Sequence, residues 1–198
     1  VTHTGTLTDH GVIVGNGGVD VSAVTPGTAG QVLLCGGAAA DPSWVTGGKV
    51  AQIVSFLSSA VNTGSNRIPL DDTIPQQGGT EGDEYMSLAI TPTNALSTLE
   101  IKVTVMGSAS AGASNCFALF QDAVASALAA AMMSVQTAAS QFSTGTLIFT
   151  MVAGTTSLTT FKVRAAANAG TFTFNGFASA RVFGAIPKSS IIITEYLP

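Results

Sequence analysis

Five of the eleven acidic residues fall in two neighbouring stretches, DDT (71–73) and TEGDEY (80–85), and this is where chemistry is first suspected. Asp71, Asp72, Glu81, Asp83 and Glu84 are enough carboxylates to hold a calcium ion, or to supply an acid and a base for glycoside hydrolysis if two of them stand about 5–10 Å apart. No alternating DxDxDG ligand loop is present, however, and an acidic turn between strands accounts for the same residues. The turn is the expectation, with no metal, no cofactor and no catalytic residue. His3 and His10 are the only histidines, and both lie in an N-terminal stretch with no pocket-forming pattern. That position argues against a serine triad, a cysteine–histidine pair or a histidine metal cage, and so against an enzyme. Cys35 and Cys116 are far apart and form no CxxC pattern, so free buried thiols are expected. GNGG (15–18) reads as a turn, because no helix-forming segment with Lys-Ser/Thr follows it. Asn168, Thr171 and Asn175 could hydrogen-bond a glycan from loops, set against ordinary turn chemistry at Asn-Ala-Gly and Asn-Gly.

Such groups act only where rigid elements hold them, and here the strand signals are dense. Leu99, Ile101, Val103 and Val105 alternate with Glu100, Lys102 and Thr104, which puts the aliphatic side chains on one face of a strand. Met86, Leu88 and Ile90, then Phe161, Val163 and Ala165, then Phe172 and Phe174 repeat the two-residue period. LIFTMV (147–152) and SIIITEY (190–196) are apolar on both faces, which predicts strands covered on both sides by a second sheet or a neighbouring subunit. With KVAQIVSFL (49–57), CFALF (116–120) and ARVFGAI (180–186) the count reaches roughly eight to ten strands, as in a jelly roll or similar sandwich. Residues 123–139 are rich in the helix formers Ala, Leu, Met and Gln; two strands around ASALA are preferred there, since Phe117 and Leu119 already set the period leading in.

The expected architecture is all-β: a jelly-roll β-sandwich head over 49–198, preceded by an extended, Gly-rich arm over 1–48. In the arm, GVIVGNGG (11–18) and AGQVLLCGG (29–37) are short apolar beats bounded by glycines, and Trp44 is expected to anchor where arm meets body. Hydrophobic residues make up 46% of the 198 and charged ones 9%, with a net charge of -4 and no cluster of Lys or Arg. Nucleic acid is excluded as a partner on that count. A mean hydropathy of +0.45 leaves either a membrane protein or one whose subunits bury faces against each other. The longest apolar stretch, AVASALAAAMMSVQTAA (123–139), is short of the roughly 20 residues of a span and is diluted by polar residues. No membrane insertion is expected, and a homotrimer is, its apolar strands closing around a common axis. No secretory leader pattern and no N-x-Ser/Thr sequon occurs, and the start at Val1 suggests a processed product or a segment of a longer polypeptide.

RIPLDDTIPQ (67–76), TEGDEYMSLAITPT (80–93), ALFQD (118–122), AGTTSLTTFKVRA (153–165) and SSIIITEY (189–196) together resemble a module at the C-terminal ends of bacteriophage tail-fibre and related virion proteins. HGVIVGNG (10–17) and GTAGQVLLCGGAAADPSWV (27–45) resemble the segment that often precedes it. The resemblance implies a trimeric jelly-roll head somewhat like those of C1q and tumour necrosis factor. It also implies a virion protein assembled in the host cytoplasm, joined to other tail or capsid proteins through the arm, and contacting a host surface glycan or outer-membrane component. Two alternatives stand beside it: a capsid decoration or tail-assembly protein without a receptor, and a spike that cleaves glycans with the acidic loop. The resemblance carries over no catalytic residue and no receptor-binding residue.

Overall fold

The alternation at 99–105 becomes the longest strand among the described residues, and the rest is arranged around it. The computed structural model describes residues 11–15, 21–37, 40–46, 50–78, 81–135, 138–139 and 141–198. The chain divides into two compact units, Val1–Lys49 and Val50–Pro198. In the first, β1 (Val12–Gly15) pairs antiparallel with β2 (Val21–Val24), and β3 (Gln31–Leu34) pairs with β4 (Ser43–Thr46). Each glycine-bounded beat therefore supplies one strand of a two-stranded ribbon, where a simply extended arm was expected. The Trp44 indole N–H donates to the Thr25 carbonyl at 2.6 Å, and an added Cβ at Gly27 would come within 2.6 Å of the Trp44 ring. The partners seen for Trp44, expected at the junction with the body, thus lie within the first unit.

The second unit is built on β5 (Val50–Ser58), β6 (Asn62–Gly64), β7 (Asp83–Ile90), β8 (Thr98–Ala109), β9 (Ser114–Gln121), β10 (Ala129–Val135), β11 (Phe142–Val152), β12 (Thr159–Ala167), β13 (Phe172–Phe174), β14 (Gly176–Phe177), β15 (Ala180–Arg181) and β16 (Ser189–Tyr196). One sheet has the order β5-β16-β8, with β11 on the other edge of β8; the second has the order β10-β9-β12-β7. All of these pairs are antiparallel, and the two four-stranded orders are those of a jelly roll. The fold is an all-β sandwich, as the two-residue period predicts. β13 continues the line of β16 along the far half of β8 and adds β6.

Between the sheets, Ile101, Val103 and Val105 of β8 and Ile191 and Ile193 of β16 meet Phe117 and Leu119 of β9 and Phe161 and Val163 of β12, all essentially without solvent exposure. Burying each such side chain contributes about 1.5–3 kcal/mol. Gly107 sits where the neighbouring strand β13 leaves no room: an added Cβ would lie 2.4 Å from the Phe172 ring and 2.5 Å from the Thr173 carbonyl oxygen. Gly107→Ala is therefore expected to destabilise the head by about 1–3 kcal/mol, read as a lower urea midpoint at unchanged slope.

Three sequence expectations narrow or change. Among the described residues no second sheet covers the outer face of LIFTMV or SIIITEY, and in the single chain Leu147, Ile191 and Ile193 point inward, whereas Ile148 and Val152 are exposed and Ile192 is half-buried, which leaves the neighbouring subunit as the expected cover. β9 is covered on both faces, because the stretch 67–78 crosses outside it and packs Ile68 on Cys116, Ala118, Phe120 and Ala166. Among the described residues of the 123–139 stretch, Ala129–Val135 is the strand; ASALA leads into it, held by Gln77 N–H to Ala125 O (2.8 Å) and Ala127 N–H to Pro75 O (2.9 Å). Helix propensity yields here to tertiary packing, since a strand lets Ala129, Ala131 and Met133 reach the core together. ARVFGAI (180–186), expected as a strand, holds only the two residues of β15 and one short 3-10 turn, because Phe183, Gly184 and Ala185 all have left-handed backbone (φ 46, 64 and 67).

Candidate functional site

The acidic residues do not converge. Asp71 closes a local turn by accepting from the Thr73 backbone N–H (2.9 Å) and hydroxyl (2.6 Å), and these bonds hold its carboxyl below the ordinary range. Glu81 accepts from the Gln76 backbone N–H at 2.6 Å, and Asp83 from the Asn66 side-chain amide at 2.7 Å and backbone N–H at 3.2 Å. Asp72 and Glu84 are exposed. Among the described residues no group of three or more His, Cys, Asp or Glu side chains gathers at one point. The Arg164 side chain fixes the end of the crossing by donating to the Glu81 carbonyl (2.9 Å) and the Gly82 carbonyl (2.5 Å).

What the crossing does form is a groove. Pro69 and Pro75 have no N–H to offer, and between the 68–75 stretch and β10 lie two adjoining hollows of about 210 and 310 Å³. Ile68, Leu70, Pro75, Cys116, Ala130 and Met132 line them, with Asp71 at the rim. Burial pushes the Cys116 thiol up to about 11, so it stays protonated and unreactive at neutral pH.

At a separate place, residues 176–188 form a loop whose two ends are tied together. Asn175 is 2% exposed and in the left-handed conformation (φ 53). Its amide donates to the carbonyls of Ser58 (2.7 Å) and Ala60 (3.2 Å), and its oxygen accepts from the Ser189 N–H (3.0 Å) and hydroxyl (2.7 Å). Within the loop, Ala178, Ser179, Phe183 and Ala185 also have positive φ. The Ser108 hydroxyl accepts from Ala178 N–H (3.4 Å), and the Thr173 hydroxyl from Ser179 N–H (3.2 Å). Left-handed backbone at residues with a Cβ is strained, and it persists where surroundings impose it, often at sites of contact. The tip presents Phe183 and Ile186, each 79% exposed, with Phe177 beside them in sequence and partly exposed. Its charges are Arg181 and Lys188, within a span, 123–194, that holds four basic residues and no acidic one.

No protein-family model and no curated protein matches the chain. Among solved structures, it is similar to that of the Gt strain of infectious bursal disease virus, with 9% identity and a TM-score of 0.39 over 90% of this chain and 47% of that one. It is similar also to the VP2 subviral particle of that virus, with 9% identity and a TM-score of 0.36 over 90% of this chain and 47% of that one. For the Gx strain the values are 8% and 0.34, over 94% of this chain and 50% of that one. The chain spans about half the length of these proteins.

The remaining sequence candidates fall as follows. His3, His10 and residues 16–18 of GNGG lie outside the described residues. Both cysteines are free, but Cys35 is exposed, contrary to the expectation of a buried thiol. Asn168 accepts from Ser114 N–H (2.8 Å), and Thr171 donates its N–H to the Ser110 hydroxyl (2.9 Å) and accepts at its carbonyl from the Ser110 N–H (2.9 Å), so with Asn175 they secure the ends of strands. The clamped loop is not legible in the sequence, because ARVFGAI (180–186) reads as a strand by its apolar content. The signal available was its two cations in a long acid-free span.

Proposed function

We propose that the chain is a structural virion protein, the head of a bacteriophage tail fibre or spike, which assembles as a homotrimer and contacts the host cell surface. The observation that carries this reading is the outer face of the β5-β16-β8-β11 sheet. Register places Ile53, Leu57, Ile148 and Val152 there beside Thr104, Thr146 and Thr150, and the four aliphatic residues are 55–63% exposed in the single chain. Glu100 and Lys102 are the charges that β8 adds to this face. An isolated sandwich normally turns polar side chains outward, so a face of this kind fits burial between copies. The sequence resemblance supports the virion role, and its stretches fall on the crossing, on the end of β9 and on β7, β12 and β16. Three copies on one rigid head would raise the avidity of weak host contacts by roughly 10²–10⁴. In this reading the first unit joins other virion proteins, the partner is a host surface glycan or outer-membrane component, and no catalysis is involved.

Light scattering at micromolar concentration tests the assembly, with a mass of about 60 kDa expected, three times the 19.8 kDa chain. Ile148→Asp should reduce it to the single-chain mass while a strand-rich far-UV spectrum persists, since Ile148 is exposed in the single chain. A wild-type particle of 19.8 kDa would overturn the trimer. Purified protein should also compete with phage adsorption to host cells. A trimer that fails to compete would turn the reading to a decoration or assembly protein.

A further inference from the structure

We infer that copies of this chain dock head to tail, the 176–188 loop of one copy entering the groove between 68–75 and β10 of the next. The inference rests on the self-association proposed above and adds to its sheet face a second pair of surfaces that meet. Both surfaces are apolar and uncovered in the single chain: Phe183 and Ile186 stand 79% exposed on the loop, and Leu70, Ile74 and Met132 are 48–60% exposed around the groove. Single exposed apolar residues are ordinary, whereas clusters of several large ones mark contact surfaces. The shapes correspond, a projecting tip and a pair of adjoining hollows of about 210 and 310 Å³, room for one large side chain each. The charges correspond as well. The loop carries Arg181 and Lys188 and no acid, while the groove is lined by Asp71, with the exposed Asp72 next to it in sequence and Arg67 at the far end of that stretch.

Asp71 uses Oδ1 to close its own turn, which leaves the second carboxylate oxygen for a cation. Apart from Arg181 and Lys188, the loop has Ser179 as its one side chain with a hydrogen-bonding group, so it is poorly equipped to read sugar hydroxyls and better suited to an apolar, acid-rimmed protein surface. The left-handed residues and the Asn175–Ser189 tie hold the tip in one shape before docking, which reduces the ordering that association would otherwise require. Loop and groove are different surfaces, so the contact is heterologous: it closes into a ring if the rotation between copies returns to its start, and extends as a filament if it does not.

The test uses the full chain with Cys35→Ser, so that the exposed thiol does not compete. Phe183→Cys and Leu70→Cys together should give disulfide-linked oligomers on a non-reducing gel. Mixing the two single variants should give the mixed dimer in preference to either homodimer. Arg181→Asp with Lys188→Asp should weaken self-association at least tenfold, and adding Asp71→Lys and Asp72→Lys to the same chain should restore it. A trimer left intact by Phe183→Ser with Ile186→Ser, with no mixed disulfide, overturns the loop–groove contact and leaves the trimer standing. A wild-type monomer with no mixed disulfide overturns both. If the serine variant keeps its assembly but no longer competes for adsorption, the loop is a host contact and the inference falls.

Discussion

Replacing Asn175 by alanine is expected to remove about 3–5 kcal/mol of stability, a large part of what a domain of this size has in total. The amide is almost fully buried and serves four partners at once: the Ser58 and Ala60 carbonyls, and the Ser189 N–H and hydroxyl. Alanine leaves these groups without partners in a place water reaches poorly, and each stranded backbone group costs about 1–3 kcal/mol. Alanine must also hold φ near 53, a conformation Asn tolerates better. Two companion variants separate the causes. Asn175→Gly removes the backbone strain and keeps the hydrogen-bond loss, so it should be about 1 kcal/mol milder than alanine. Asn175→Asp keeps the acceptor for Ser189 but turns a second oxygen toward two carbonyls, and should resemble alanine. Urea midpoints at constant slope give the values. An alanine variant within 1 kcal/mol of wild type would mean that water replaces the amide and that the loop base is not a clamp.

Acidification should remove about 3 kcal/mol through one residue, Glu195, the buried carboxylate among the described side chains. Burial acts to raise its pKa, but it is outweighed by donors. Gln52 donates to Oε2 at 2.7 Å, while the Thr93 N–H (2.8 Å) and hydroxyl (2.7 Å) and the Asn94 N–H (3.3 Å) converge on Oε1. The carboxyl is lowered from the ordinary 4.5 to about 2. Ser97 lies close by, but its hydroxyl is outside hydrogen-bonding geometry, so the lowering is assigned to Gln52 and Thr93. A folded pKa below the unfolded one means that the stabilisation is complete above about pH 4.5 and is lost as the pH falls toward 2. Asp71 titrates in the same direction, so wild type must be compared with Glu195→Gln. The variant should be about 2–3 kcal/mol less stable at pH 7, with a correspondingly flatter decline between pH 4.5 and 2. Parallel declines would show that Glu195 does not carry the acid sensitivity.

Both residues show how far the sequence could be read. The β class, the strand positions from 83 to 121 and from 159 to 174, and the inward faces of β7, β8 and β12 are legible in the two-residue alternation, because a strand turns successive side chains to opposite sides. The shortage of charge and the absence of a metal-ligand or nucleophile pattern are likewise matters of composition and spacing. Glu195 was not legible: the period places it inward after Ile191 and Ile193, but only the approach of Gln52 and the 91–94 loop, over a hundred residues away in sequence for the loop, supplies the donors that let a carboxylate stay charged there. Asn175 looked like a turn residue able to meet a ligand, and only the meeting of β5, β13 and β16 turns it into a buried tie. The groove and the clamped loop belong to the same category. Local pattern decides which side chains share a face, whereas cover over β9, left-handed backbone at Phe183 and the sharing of a pocket by Leu70 and Met132 depend on contacts between distant segments, and those are set by tertiary packing.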